Sequence, residues 1–267
     1  MLAKEDKDFI NDDENFSKLF VELRDNKPCF TKDEIEKGLK GAFPECFELD
    51  ESGRCRVAFA CFVKEESESE NKPKFKSRMK PNAWKSIGCD YIKDGKVLYN
   101  RCHLIGRQLA AEKADKRGLI TGTRKFNVEG MYKFEDVVAK YIEKNQDHHV
   151  LYRVTPYFKE DDDLLPYGVQ MEILDLDDEE KLSYNVFVYN KQPGFTIEYS
   201  NGDVYSDYSL TLSGKRSGYN IYVIDMDTKS FHKESCASVC DINNKRYFVG
   251  GKQTLEKEYC KCMNCIS

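Results

Sequence analysis

The 267-residue chain is poor in two residue types that carry much chemistry. It has four histidines, His103, His148, His149 and His232, and one tryptophan, Trp84. It has no run of 18 apolar residues, which excludes a membrane-spanning helix. The opening stretch, MLAKEDKDFINDDENF, lacks the apolar centre of a secretory leader. No cysteine lies between residues 103 and 235. The 11 cysteines fall in two groups instead: Cys29, Cys46, Cys55, Cys61, Cys89 and Cys102 in front, and Cys236, Cys240, Cys260, Cys262 and Cys265 at the end. An odd total divided this way is no complete disulfide framework. The front six read as reduced, buried small hydrophobes. The tail group has metal-ligand spacing. A net charge of −5 neither announces a nucleic-acid partner nor excludes one, because the local patch matters more than the sum.

Apolar residues make up 40% of the chain, enough for one large domain or a medium one plus a small one. Residues 1–12 read as a frayed lead-in. Phe16, Leu19, Phe20 and Leu23 have helical spacing, so 14–24 is predicted to be a helix. Thr31 with Glu34 three positions on is a capping-box signature and predicts a short helix. RCRVAFACFV at 54–63 reads as a buried strand. GKVLY at 95–99 and LITGTRKFN at 119–127 are short strands. A helix is predicted over 127–145, with Met131, Phe134, Val138 and Tyr141 or Ile142 on one face. HHVLYRVTPYF, YGVQMEILDL and SYNVFVYN are further strands, and the acidic KEDDD and DDEEK between them are solvated hairpin loops. NKQPGFTIEYSNG closes the sheet, and 203–218 reads as a polar linker. The predicted fold is α+β on a mostly antiparallel sheet. Its parts are a lead-in helix over 1–26, a core over 27–202, the linker, and a small module over 219–267.

Charge segregates sharply before Trp84. KEESESEN is acidic, whereas KPKFKSRMKPNAWK carries six cations and no acid. A solvated loop and a finger that tracks phosphates fit equally well. In the second case Lys74, Lys76 and Lys80, with Arg124 further on, contact nucleic acid.

Between 97 and 135 the order is strand, Arg101-Cys102-His103, strand, Asn127 at a helix start, and Glu135. Singly each has an ordinary explanation: a structural histidine, an arginine paired with an acid, an N-cap asparagine, a solvent-facing glutamate. As a set they suit hydrolysis of a phosphodiester. Histidine titrates near neutrality and serves as general base. Arginine presents a planar fork to phosphate oxygens. Mg²⁺ needs only one or two protein oxygens, and Asn127 offers one. Eight helical residues span about 12 Å, so Asn127 and Glu135 cannot both ligate one ion directly from a regular helix.

YNRCHLIGRQL followed by LITGTRKFNVEGMYKFEDVVAKYI resembles the DNA/RNA non-specific endonucleases of the ββα-metal (His-Me finger) class, in particular their secreted Gram-positive branch. The likeness runs over about 27–200. It implies a ββα-metal nuclease core, DNA and RNA as substrates, Mg²⁺ (or Mn²⁺) as cofactor, and cleavage that leaves a 5′-phosphate. It also implies a secreted or cell-surface location, whereas the opening stretch shows no leader and fits the cytoplasm. On this likeness His103 is the general base, Asn127 the metal ligand, Arg101 a phosphate contact and Glu135 an outer-shell metal residue. Arg78 supports the transition state. Two positions depart from the family's fingerprint: Asn100 replaces an aspartate, and Cys102 replaces a glycine. If position 102 needed a positive φ, a cysteine there would be strained. With an ordinary φ the thiol packs inward without penalty.

In the tail, His232-x₃-Cys236 and Cys262-x₂-Cys265 make a two-plus-two set suited to tetrahedral Zn²⁺. In a module this small a metal supplies folding energy. A disulfide knot is the alternative for these thiols. The spacing is similar to the zinc-holding module of methyl-phosphotriester repair proteins. Two other readings of the whole chain stay open. One is a nucleic-acid-binding zinc protein with an inactive or regulatory nuclease core. The other is a thiol-based redox sensor, disfavoured because no C-x-x-C stands near a βαβ pattern.

Overall fold

The computed structural model describes residues 2–63, 79–109, 116–212 and 219–266. Helix α1 (Lys4–Ile10) and helix α2 (Asp13–Ser17) lead into strand β1 (Phe20–Glu22). Helix α3 (Lys32–Gly38) carries the expected Thr31–Glu34 capping box. Strands β2 (Phe43–Cys46), β3 (Ala58–Phe62) and β4 (Ile87–Gly88) follow. Then come β5 (Tyr99–His103), β6 (Leu119–Thr123) and helix α4 (Tyr132–Lys144), the last entered through a π-helical turn at Phe126–Met131. Strands β7 (Val150–Tyr157), β8 (Gly168–Asp175), β9 (Ser183–Tyr189), β10 (Phe195–Ile197), β11 (Val204–Ser206) and β12 (Thr211–Leu212) continue the chain. It ends with β13 (Asn220–Asp225), β14 (Ser230–Lys233), β15 (Lys245–Gly250), helix α5 (Lys252–Leu255) and β16 (Cys260–Lys261).

The first sheet is antiparallel throughout, in the order β1-β9-β8-β7-β3-β2. Successive side chains on a strand point to opposite faces, and here both faces are covered. On β9, Val186 and Val188 join the cluster with Phe126, Met131, Phe134 and Val138 of the helix. Phe187 and Tyr189 point the other way, against Ile10 and Leu2 of the N-terminal segment. Farther along that second face α3 lies over Phe59 and Leu151. Strand β8 is therefore buried at every position, as a strand sandwiched between layers should be. Each large apolar side chain taken fully out of water contributes about 1.5–3 kcal/mol. The helix face 131-134-138 is thus a sufficient reason for α4 to lie where it does.

The N-terminus departs from the sequence reading. Residues 4–10 are a helix whose Ile10 is fully buried, where a frayed lead-in was expected. The helix expected over 14–24 stops at Ser17, and Phe20–Glu22 is a strand paired to β9. Phe20, Val21, Glu22 and Leu23 fit either period, and an open sheet edge decided for the strand.

The tail departs as well. A second sheet runs β10-β11-β15-β13-β14-β16. It takes β10 and β11 from before residue 207, so the tail layer begins near 195, well upstream of 219. The segment read as a linker holds two strands in its described part: β11 pairs with β15, and β12 pairs with β4. Short strands escape notice where polar residues interrupt them, as in DVYSDYSLTL. Nor does the tail lack a core, because Tyr222, Ile224, Phe231, Phe248 and Leu255 are buried together.

The tail layer and the part of the fold that precedes it share a further cluster in which Ile87, Leu98, Tyr99 and Leu165 meet Ile197, Val204, Leu210 and Val249. Its polar seam is the Lys85–Asp203 pair, 2.5 Å apart with side chains 10% and 8% exposed. Lys85 Nζ also donates to the Asn201 carbonyl at 2.7 Å, and the Tyr99 hydroxyl donates to the Gly202 carbonyl at 3.2 Å. Removing one partner of a buried pair strands the other charge, at a cost of about 3–5 kcal/mol. Asp203→Ala should therefore lower the stability in urea melts by about 3 kcal/mol. A loss under about 0.5 kcal/mol would show that the seam is solvated.

Candidate active site

Strands β5 and β6 form a two-stranded antiparallel hairpin of their own, with Arg101 opposite Thr121 and His103 opposite Leu119. With the helix that follows, this is the ββα unit that the motif order predicted. On β5, Tyr99, Arg101 and His103 share one face by alternation. Asn100 and Cys102 share the other. Cys102 is fully buried, and it is absent from the positive-φ residues. Of the two cases considered for this position, the strain-free one applies. The space comes from across the hairpin: a Cβ on Gly122 would lie 2.6 Å from the Cys102 sulfur and 2.4 Å from Phe126. Burial drives the Cys102 thiol pKa well up, so it stays protonated. Cys55, Cys61 and Cys89 are likewise buried, whereas Cys29 is exposed and Cys46 half-buried.

His103 is half-buried, with its Nε2 out of contact with solvent. Burial, and then the charge of Arg107, lower its pKa, so the ring is neutral at pH 7 and can accept a proton. Arg107 was not singled out in the sequence. Its role comes from a loop that folds back, which strand and helix periods do not reveal. Arg101 is exposed, and its guanidinium lies 4.9 Å from the centre of the Trp84 ring.

The helix starts one turn earlier than expected. Thr123 caps it: its hydroxyl accepts the Phe126 N–H at 3.1 Å and donates to the Lys191 carbonyl at 2.7 Å. Asn127 is therefore not an N-cap. It sits half-buried in the π-turn, where its carbonyl accepts the N–H of Tyr132. π-turns are rare and recur at functional sites. With capping supplied by Thr123, the Asn127 amide has no capping duty to perform.

Glu135 is buried, not solvent-facing. Its carboxylate lies against the backbone of Gly106, three residues past His103, where a Cβ would come within 2.4 Å of Oε2. Burial alone pushes its pKa up to about 8. The helix thus begins beside the Tyr99–Thr123 pair and reaches the Gly106 loop at Glu135, which lies about 12 Å beyond Asn127. His103, Arg101 and Glu135 are gathered around one hairpin and its exit loop, and Asn127 stands on the turn that packs over it.

The proposed nucleic-acid contacts fare differently. Lys74, Lys76 and Arg78 lie outside the described residues. Lys80 is exposed. Arg124 sits at the start of the helix, its guanidinium 2.6 Å from Asp94. Asn190, which no motif flagged, is fully buried and ties the hairpin to the main sheet. Its side chain accepts the Thr123 N–H at 2.9 Å and donates to the carbonyls of Thr121 and Pro166 at 3.1 and 3.0 Å.

In the tail, His232, Cys236, Cys262 and Cys265 bring one donor atom each within 4.8 Å of one another. Four ligands about 2.0–2.3 Å from a common centre need mutual separations under about 4 Å, so donors gathered within 4.8 Å would have to draw in only slightly to close on an ion. The His232 Nε2 lies 3.1 Å from the Ser230 hydroxyl, which leaves the buried Nδ1 as the ring's donor to the cluster. Orientation of this kind accompanies most metal-bound histidines. The Cys236 thiol pKa is pulled down to about 6, first by the His232 side chain and then by the Ser238 N–H. That of Cys265 is pushed up to about 11, chiefly by burial, although the Lys233 N–H donates to its sulfur at 3.4 Å. Cys240 and Cys260 stay exposed outside the set, and all the cysteines are free thiols.

The fold has solved counterparts. NucA from Streptococcus agalactiae with magnesium bound superposes at a TM-score of 0.56 and 22% identity, covering 73% of this chain and 87% of that one. Metal-free NucA gives 0.57 and 21%, with coverages of 79% and 97%. The Sda1 nuclease with a bound zinc ion gives 0.55 and 22%, with coverages of 76% and 98%. At these identities the likeness is one of fold. Sequence goes further, because residues 39–176, just over half of the chain, match the profile of one family. The chain belongs to the DNA/RNA non-specific endonuclease family.

Proposed function

We propose that the protein is a Mg²⁺-dependent endonuclease of the His-Me finger type. It cuts DNA and RNA without regard to sugar and leaves a 5′-phosphate. One observation carries the reading: a neutral, half-buried His103 shares a face of β5 with Arg101, beside a helix whose Thr123 cap spares Asn127. His103 takes a proton from the attacking water as its oxygen bonds to phosphorus. The bond from phosphorus to the 3′ oxygen breaks, and that oxygen leaves and takes a proton from a second water molecule, whose hydroxide is neutralised as the proton on His103 returns to solvent. Arg101 holds the non-bridging oxygens with its planar fork, and Arg78 supports the same charge. Lys74, Lys76, Lys80 and Arg124 hold the flanking backbone. Such contacts carry no sequence information, so specificity is low.

The donor set fits a hard cation. Asn127 offers an amide oxygen. Glu135, eight residues farther along the helix, is a carboxylate held neutral by burial, and it would serve the ion through its water shell and not as a second direct ligand. Bound there, Mg²⁺ (or Mn²⁺) would supply the positive charge that stabilises the transition state. The tail cluster fits Zn²⁺ in a closed, structural site, with a spacing similar to the module of methyl-phosphotriester repair proteins. The neutral state and placement of His103 favour an active enzyme over the alternative of an inactive nuclease core.

His103→Ala should cut plasmid DNA at least about a hundredfold more slowly, with an unchanged thermal melt and part of the rate restored by imidazole. For the parent protein kcat/KM should fall as pH drops below about 6.5, the limb lying lower than for free histidine. Near-normal turnover by the variant removes His103 from the mechanism.

Glu135 titrates higher in the folded chain than in the unfolded one, where its pKa is about 4.3. As pH rises from there to about 8, the unfolded state gives up its proton first, so this group withdraws stability progressively. In EDTA, Glu135→Gln should therefore melt above the parent at pH 8 and together with it near pH 4. Equal melts at pH 8 would mean that Glu135 is already ionised.

Protein purified without added zinc should carry one zinc per chain, and Cys236→Ser should lose it and lower the melting temperature. A parent with metal content near zero and a Cys236 disulfide would replace the zinc site with a covalent staple.

A further inference from the structure

The only tryptophan stands where burial does not explain it. Trp84 is half-buried, in a segment held from both sides. Before it, Ala83 has a φ of 52°, a left-handed conformation that costs a non-glycine residue about 1 kcal/mol or more. The Ala83 carbonyl lies so close to Gly202 that a Cβ there would come within 2.6 Å of it. After it, Lys85 is fixed in the buried pair with Asp203. Backbone strain and a buried ion pair thus hold a large aromatic ring at the surface, and its face carries the Arg101 guanidinium.

Trp84 and Arg101 also line an open groove with Ile87, Val97, Tyr99 and Asn100. The groove therefore combines apolar walls with a planar cation held over an aromatic face. That is the composition of a site for a flat, polar-edged ring. Arg101 precedes His103 by two strand residues, about 7 Å, so the groove opens about one nucleotide away from the phosphate that His103 would address.

We infer that this groove is a nucleobase subsite. An unstacked base next to the cleaved phosphate lies on the plane of the Arg101 guanidinium, with the Trp84 ring behind it. The edge of the guanidinium remains turned to phosphate. Bases stack on arginine planes and on aromatic rings alike, and every base has such a face, so the subsite tolerates any sequence while demanding an unpaired base. Single strands are then bound better than duplexes. The inference rests on the nuclease reading, because the neighbouring phosphate is the one that His103 acts on.

Trp84 is its own reporter. His103→Ala protein in EDTA is titrated with a single-stranded DNA oligonucleotide and with an abasic strand of equal length and charge. The base-bearing strand should quench the tryptophan fluorescence and bind about tenfold more tightly than the abasic one. With a labelled strand read by anisotropy, adding Trp84→Leu should bring the two affinities together, and Trp84→Phe should keep most of the difference. Circular dichroism melts establish that each variant is folded. Equal affinities in the parent, or a difference that survives Trp84→Leu, would overturn the subsite and leave Trp84 as a prop for Arg101. Mg²⁺-dependent cleavage without base discrimination would sink the subsite alone. Base discrimination in a wild-type protein that does not cleave would sink the nuclease reading alone.

Discussion

The hairpin that bears Arg101 and His103 belongs to neither large sheet, and a two-stranded hairpin is marginal when left to itself. What fixes β5 and β6 in place is the buried amide of Asn190. Its three hydrogen bonds satisfy the outer edge of β6 and tie it to the end of β9, while the Tyr199 hydroxyl holds the Asn190 carbonyl at 2.8 Å. Thr123 and Lys125 are fastened to the next two residues, Lys191 and Gln192. The start of the helix is thereby located relative to the sheet before any apolar packing is counted. Each such bond is worth only about 1 kcal/mol net, but leaving these groups buried and unpaired would cost more. A polar hub of this kind specifies one arrangement where an apolar contact would allow several.

The second constraint comes from the tail. Because β10 and β11 complete its sheet, the Cys/His cluster sits at the far side of a layer whose near side grips Lys85 and Tyr99. The cluster joins β14 to β16, and β14 is the strand next to β13. Order in that corner is transmitted to the seam through β15 and β11 by backbone hydrogen bonds. The tail is thus part of the wall behind the strand that bears Arg101 and His103, and order at the Cys/His corner bears on how that strand is held.

Much of this was legible in the sequence. The ββα order, the apolar face of α4, the Thr31 cap and the strands β7 to β9 are local patterns, and periodicity carries them. The gathering of His232, Cys236, Cys262 and Cys265 was legible because their paired spacing is a local property too. What stayed hidden is what long-range contact decides. Asn127 looks like a cap until Thr123 is found occupying that role. Glu135 looks solvated until the Gly106 loop closes over it. Asn190 is one asparagine among many. The strands at 204–206 and 211–212 are too short to have a period, and the sheets that recruit them are built from residues far away in sequence.

The wall behind Tyr99 is assembled from Gly202, 103 residues farther along the chain, and, in the same cluster, from Val249 on β15, farther along still. Emergence from the ribosome proceeds N-terminal end first. The strand that bears His103 is therefore made well before the residues that seat it, and it settles only after they have followed it out.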